Sequence, residues 1–363
     1  MSLAAPNLKT DRRIRIMHVD DSAVVRALTR RWIEEDPRFE LVRSCIDGEQ
    51  AIAQAATAKP DVIILDVEMP KMDGLAALPG LRKAAPQARV IMASTLTSRG
   101  ASTTVRALGL GAADYIAKPD SKILGSADTY RRELVEKMLA LGGRAVNPVT
   151  PATRKSNYQL RTPTVRTGLA GRPSVMVVAS STGGPAALQA FLGPIARRIS
   201  APILIVQHMP RSFTKIFAEK LGEHVGRPCR EPIDHDPIMP GSMFLAPGDF
   251  HMRIAKSARG HEIRLDQGAQ VHFCRPAADP LFESAASIYG GRVLGVVLTG
   301  MGSDGAAGSG RVVEAGGRVI VQDEASSVVW GMPGSVAQAG YAEAIKPLPE
   351  LGSMALSIMN GEG

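Results

Sequence analysis

At 363 residues the chain is too long for one ordinary domain, and roughly 150 residues per domain predicts two. Hydrophobic residues make up 45% and charged residues 21%, which excludes a largely disordered or collagen-like chain; with aromatics at 4%, the core must be built from Val, Ile, Leu, Ala and Met. No apolar run approaches the ~18 residues of a spanning helix, so no direct membrane insertion is expected. MSLAAPNLKTDRR at the N-terminus lacks the apolar segment of a secretory signal. Cys45, Cys229 and Cys274 are scattered and form neither a disulfide framework nor a CxxC pair. The chain reads as cytoplasmic.

The net charge of +8 invites a nucleic-acid reading, so its location matters. Residues 1–141 are net +3, residues 142–172 are net +6 with no acid, and residues 173–363 are net −1. The excess sits in one short segment, whereas a nucleic-acid-binding domain needs a basic face of its own. No nucleic-acid partner is expected. Residues 142–172 are rich in Pro and Gly and lack apolar periodicity, so they predict a flexible basic linker between a domain at 12–141 and another at 173–360.

The first domain opens on the apolar run IRIMHV at 14–19, which ends in Asp20-Asp21-Ser22, and a helix follows over 24–35. Strands are predicted at 41–45, 62–65, 90–93 and 115–117, with helical segments at 49–58, 75–84, 101–108 and 128–141. Alternating β and α elements with wholly apolar strands predict a doubly wound parallel sheet covered on both faces. The site of such a sheet lies at the strands' carboxyl ends.

Polar residues fall at those ends: Asp20 and Asp21 after the first strand, Asp66 after the third, Ser94 after the fourth, Lys118 after the fifth. An Asp after a strand is often only a helix cap. Five polar residues on the strand ends are harder to explain that way. Converging carboxylates repel, and a hard divalent ion such as Mg²⁺ relieves this through one or two carboxylates and several waters. With Lys118 as a further positive charge and Ser94 as a hydroxyl donor, the set suits a phosphoryl group carried on Asp66.

The segments HVDDS, ILDVEMPKMDG and YIAKP resemble those of two-component receiver domains, which are flavodoxin-like. The resemblance implies Asp66 as phospho-acceptor, a sensor histidine kinase as phosphodonor, and Mg²⁺ held by Asp21, Asp66 and the backbone carbonyl of Glu68. It also casts Asp20 as a water-mediated ligand and Ser94 with Tyr115 as the switch pair. Pro79-Gly80 departs from the pattern and is expected to break or shorten the third helix.

The second domain opens on VMVVA at 175–179, which runs into SSTGGP and a helix over 186–192. A strand, a Gly-containing turn and a helix present either a nucleophile or a phosphate cradle. The phosphate reading lacks GxGxxG and GKS/T and has no Lys close by. A plain Ser/Thr helix cap with Pro in the first turn is compatible with either function. A second strand at 203–206 ends in Gln207-His208, and a third at 293–298 ends in TGMGSDGAAG, which contains Met301 and Asp304. Ser181, His208 and Asp304 thus each follow a separate strand of an α/β domain with a mostly parallel sheet. Taken alone, His208 reads as structural and Asp304 as a turn residue. Together they supply nucleophile, base and orienter for acyl transfer, with backbone N–H groups around Met301 for the oxyanion.

SSTGGPAAL, VQHMP, APGDFHM, LTGMGSDGA and QDEASSVVWGMP look like the chemotaxis protein-glutamate methylesterase family, which also carries a receiver domain. The resemblance implies hydrolysis of glutamate methyl esters on the cytoplasmic helices of chemoreceptors, release of methanol, and deamidation of receptor glutamines. It casts Ser181, His208 and Asp304 as the triad, with Thr182 and the Met301 amide in support and no cofactor in the esterase site. It further implies that the unphosphorylated receiver restrains the enzyme. Two departures stand out. The family's Gly-Ala-Ser turn is Ala179-Ser180-Ser181 here, which sets a second hydroxyl beside the nucleophile, and its usual His-Arg-Pro is Cys274-Arg275-Pro276. A transcription factor would need a helix-turn-helix and a basic output domain, which residues 173–363 do not offer. A binding module with a dead triad differs from the enzyme in releasing no methanol.

Overall fold

A computed structural model describes residues 12–95, 97–119, 126–143 and 172–362. The chain divides into two compact units, residues 1–96 with 112–150, and residues 97–111 with 151–363. The predicted linker lies, from 144 to 171, outside the described residues.

The N-terminal sheet is built from β1 (Ile14–Val19), β2 (Phe39–Cys45), β3 (Val62–Asp66), β4 (Arg89–Ser94) and β5 (Asp114–Ala117). All are parallel, in the order β2-β1-β3-β4-β5. The intervening helices are α1 (Ala23–Glu34), α2 (Gly48–Ala58), α3 (Gly74–Ala84) and α4 (Ser98–Gly109), and α5 (Ser126–Gly142) follows β5. Every residue of β3, VIILD, is buried, as a strand covered on both faces requires. The order reverses direction beside β1 and β3, which opens a crevice at their carboxyl ends. This is the expected doubly wound flavodoxin-like arrangement.

Pro79 does not break α3, which runs unbroken from Gly74 to Ala84. Pro79 lies on the exposed face, where the carbonyl of Leu75 that loses its partner can turn toward water, while Ala77, Leu78 and Leu81 hold the other face buried. Gly80 has a packing reason: a Cβ there would come within 2.6 Å of Ile52 Cδ1 on α2.

The C-terminal sheet contains β6 (Val175–Ser180), β7 (Ile203–Gln207), β8 (Met243–Leu245), β11 (Val293–Val297), β12 (Arg318–Gln322) and β13 (Ala344–Lys346). Its order is β13-β12-β11-β6-β7-β8, and every pair is parallel. β9 (His251–Ser257) and β10 (Gly260–Asp266) form a separate antiparallel hairpin. The helices are α6 (Gly184–Leu192), α7 (Arg211–Val225), α8 (Ala278–Tyr289), α9 (Ala306–Glu314), α10 (Met332–Gln338) and α11 (Leu348–Asn360). Strands VMVVAS, ILIVQ and VLGVV are buried throughout. Leu281, Phe282 and Ala285 of α8 are buried in one core with Val177, Leu204, Met252 and Val297. Chain order reverses between β6 and β11, so the crevice of this sheet opens where those strands and β7 end. Among the described residues no helix is long and apolar enough to cross a membrane.

Candidate functional site

At the first crevice, Lys118 Nζ lies 2.7 Å from Asp66 Oδ2 and 2.8 Å from Asp20 Oδ2. Neither carboxylate is a helix cap. Ser22 caps α1 and Asp73 caps α3, whereas Asp20 Oδ1 accepts from the Ser22 amide at 2.9 Å. Asp20 and Asp66 are buried and Asp21 is exposed, and one oxygen from each lies within 4.8 Å of the other two. Burial raises the Asp66 pKa to about 6, with Lys118 pulling it down and Asp20 pushing it up. Asp20 Oδ2 is buried and faces the Lys118 ammonium without an aligned hydrogen bond. Hard oxygen donors with an under-satisfied buried carboxylate fit Mg²⁺. The Glu68 amide turns back onto Asp66 Oδ1 at 3.4 Å, which brings its main chain beside the same carboxylate. Ser94 is buried at the end of β4, donating to the Thr95 carbonyl at 3.2 Å, and Tyr115 is buried on β5.

At the second crevice, β6 delivers Ser180 and Ser181, β7 delivers His208, and the loop after β11 delivers Asp304. His208 Nε2 meets Asp304 Oδ2 at 2.7 Å. Asp304 is 1% exposed and fully engaged: its oxygens also accept from the amides of Ala278 at 2.6 Å, Asp279 at 3.0 Å and Gly305 at 3.0 Å. Ala278 and Asp279 begin α8, so the carboxylate sits on the positive end of that helix. Burial acts to raise the Asp304 pKa, but His208 and these amides more than offset it and hold the group below the usual carboxylate range. For His208, burial disfavours the charged ring, while the hydrogen bonds to Asp304 and Cys274 favour it and win, raising the pKa to about 10.

Ser181 is partly exposed, and its Oγ makes no hydrogen bond to His208 among the described residues. Catalytic hydrogen bonds are often long until substrate is seated. Because Nε2 is committed to Asp304, Nδ1 is the ring nitrogen left to receive a proton. Cys274 Sγ lies 3.5 Å from it. The Ser181 amide donates to the Thr299 carbonyl at 3.0 Å, and Gly300 abuts the serine so closely that a Cβ there would come within 2.9 Å of Ser181 Cβ. The next amide, of Met301, has no protein acceptor among the described residues, as an oxyanion donor should. Thr182 is buried, and its carbonyl accepts from Thr299 Oγ1 at 3.0 Å.

The Ser/Thr cap reading fails here too. α6 is capped by Gly183 at φ 76 with no side-chain bond, and Pro185 occupies its first turn. Ser180 is no spare nucleophile: it is 0% exposed, and its hydroxyl donates to Gln207 Oε1 at 2.7 Å. Gln207 Nε2 donates in turn to the carbonyls of Ser181 at 3.0 Å and His208 at 3.2 Å. A Cβ at Gly184 would fall 2.0 Å from Gln207 Oε1, so glycine is required for the helix to start beneath this amide. Sequence reasoning missed Gln207 and Thr299. The one available signal for Gln207 was a polar residue closing the apolar strand ILIVQ.

A carboxylate and lysine cluster at the strand ends of one unit, and Ser181, His208 and Asp304 at the strand ends of the other, fit a class of α/β ester hydrolase carrying a response-regulator receiver. The family descriptions CheB methylesterase and response regulator receiver domain match residues 176–354 and 16–126 respectively. The chain is 52% identical over 93% of its length, and 97% of the relative's, to protein-glutamate methylesterase/protein-glutamine glutaminase 2 of Caulobacter vibrioides. It is 47% identical to the Azospirillum brasilense protein-glutamate methylesterase/protein-glutamine glutaminase, over 93% of this chain and 91% of that one. The crystal structure of the Thermotoga maritima CheB methylesterase catalytic domain superposes with a TM-score of 0.50 at 36% identity, covering 51% of this chain and 98% of that one. The chain therefore belongs to the protein-glutamate methylesterase/protein-glutamine glutaminase family, and it is a carboxylic ester hydrolase with a receiver domain that carries the Mg²⁺-dependent phosphorylation site usual in such domains.

Proposed function

We propose that the protein removes methyl esters from glutamates on the cytoplasmic helices of chemoreceptors, and deamidates receptor glutamines, through a Ser181-His208-Asp304 triad in the cytoplasm. The observation that supports this best is the delivery of Ser181, His208 and Asp304 from β6, β7 and the loop after β11 to one crevice, with Asp304 holding Nε2. Ser181 Oγ attacks the ester carbonyl as His208 Nδ1 takes its proton. The amide of Met301 stabilises the oxyanion, with Thr182 holding the nucleophile turn, and a donor of this kind is worth about 3 kcal/mol. Methanol leaves with the proton from His208, and water, activated by the same ring, releases the glutamate.

In the receiver, Asp66 is the phospho-acceptor and a sensor histidine kinase the phosphodonor. Asp21, Asp66 and the Glu68 carbonyl would hold Mg²⁺, Asp20 would act through water, and Lys118 balances charge on the phosphoryl group. Mg²⁺ supplies the positive charge that phosphoryl transfer to a carboxylate requires. Ser94 and Tyr115 form the switch pair. The deciding experiment measures methanol release from methylated receptor membranes: Ser181→Ala should abolish it while the protein remains folded. Full activity in that variant would defeat the triad.

A further inference from the structure

The three thiols occupy unlike surroundings. Cys45 and Cys229 are buried, and burial pushes their thiols up to about 11 and about 12. Cys274 is half-buried, with Sγ 3.5 Å from His208 Nδ1 and Asp304 holding the opposite ring nitrogen at 2.7 Å. Cys274, His208 and Asp304 thus form a continuous line of thiol, base and carboxylate, the arrangement that makes a thiol nucleophilic. The sulfur is held there by its backbone. Cys274 and Val271 exchange hydrogen bonds of 2.9 and 3.1 Å across a two-residue turn, His272-Phe273. His272 Nε2 anchors that turn to Asp279 Oδ2 at 3.1 Å.

We propose that Cys274 is a hydroperoxide-sensitive modification site whose oxidation switches the esterase off. The His208 ring is cationic at neutral pH, so the thiol proton passes to solvent and the sulfur, facing the Nδ1 proton, attacks one peroxide oxygen. The S–O bond forms as the O–O bond breaks, the leaving hydroxide or alkoxide takes the Nδ1 proton, and the solvent restores that proton to the ring. Sulfur loses two electrons, the peroxide gains them, and the products are a sulfenic acid and water or an alcohol. The new oxygen stands against Nδ1, the nitrogen that Ser181 needs. A low-molecular-weight thiol reverses the change by displacing water to form a mixed disulfide, which a second thiol reduces. This rests on His208 being the esterase base, whereas the labelling of Cys274 does not.

The test treats the full-length protein with hydrogen peroxide and divides it between methanol-release assays and dimedone labelling mapped by mass spectrometry. Cys274 should label before Cys45 and Cys229, and the rate should fall about 10-fold or more in step with labelling and return with dithiothreitol. At pH 7 His208→Ala should label at Cys274 ~10-fold more slowly, because the cation that faces the sulfur and protonates the leaving oxygen is gone. Cys274→Ser, scored against its own untreated rate, should lose nothing to the same dose. Complete labelling of Cys274 without loss of rate, equal peroxide sensitivity in Cys274→Ser, or labelling of the buried thiols first would each overturn the proposal. Failure of the triad itself would show separately, as activity surviving Ser181→Ala.

Discussion

Ser180 Oγ donates to Gln207 Oε1 at 2.7 Å, and both side chains are shut away from solvent. The hydroxyl beside Ser181 therefore belongs to the frame of the site. It orients an amide whose nitrogen holds the carbonyls of Ser181 and His208, so one side chain ties together the ends of β6 and β7.

Ser180→Ala should accordingly lower stability without removing the nucleophile. Leaving a buried acceptor unpaired costs about 1–3 kcal/mol, which chemical denaturation would read as a shifted midpoint. Methanol release should be reduced only modestly, whereas Ser181→Ala should abolish it. A dead Ser180→Ala with unchanged stability would place the nucleophile one residue earlier.

The pH dependence follows from His208. Its pKa is raised to about 10, so the basic ring needed to deprotonate Ser181 becomes more abundant as pH rises, and methanol release should climb across the range above the ordinary imidazole value near 6.5. The stability contribution runs oppositely: it is complete below pH 6.5 and is lost as pH rises toward about 10. Asp304, held low, adds stability above its ordinary 3.8 that is lost as pH falls. Because Cys274 is one cause of the raised value, Cys274→Ala should move the rise in rate toward lower pH. A rate profile flat from pH 6.5 to 10 would contradict this account.

Asp304→Asn should damage two things at once. It disturbs the His208 tautomer, for which a loss in kcat near 10⁴-fold is the expected scale, and it weakens the negative cap on the first amides of α8. Combined with Ser181→Ala the kinetic loss should not add, because a triad acts as a unit. Denaturation of the double variant should still show the α8 component. Additive kinetic losses would mean that Asp304 acts outside the Ser181 pathway.

Much of the fold was legible because fully apolar strands alternate with capped helices, and strand ends are where parallel sheets gather polar groups. VIILD ending in Asp66 and VMVVAS ending in Ser180 announce both burial and position. The partnerships of Asp304 were hidden, since the amides it binds lie 26 and 25 residues earlier, at the start of a helix with no motif of its own. The Cys274–His208 contact spans 66 residues and depends on the tight turn at His272-Phe273, for which neither residue is an ordinary choice. Pro79 misled because local propensity foretells a break, while the outcome depends on which face of α3 meets water.

A buried ion pair anchors the receiver: Lys137 Nζ on α5 lies 2.9 Å from Asp114 Oδ2 on β5 and donates to the Tyr115 carbonyl at 2.6 Å. Lys137→Ala would leave Asp114 charged and buried without this partner, a loss that costs about 3–5 kcal/mol. Lys137→Met keeps the packing of the stem, so it separates the charge from the volume. Equal stability of both variants and the parent would show that the pair contributes nothing net.

The receiver's chemistry is testable at Asp66 independently of the esterase. Acetyl phosphate with Mg²⁺ should label the chain there alone, since Asp66 is the carboxylate flanked by Lys118 at 2.7 Å and by the oxygens of Asp20 and Asp21. Asp66→Asn keeps the size of the side chain but removes the nucleophilic oxygen, so labelling and any phosphodonor-dependent rise in methanol release should vanish together. Lys118→Ala should weaken the response differently. It leaves Asp20 and Asp66 unneutralised by the ammonium, so tighter Mg²⁺ binding should accompany slower labelling, because the cation alone must then offset both carboxylates. Removing Mg²⁺ with a chelator should stop labelling in the parent. Full-stoichiometry labelling in Asp66→Asn would move the phospho-acceptor elsewhere, and an undiminished rise in esterase rate in that variant would separate the two activities.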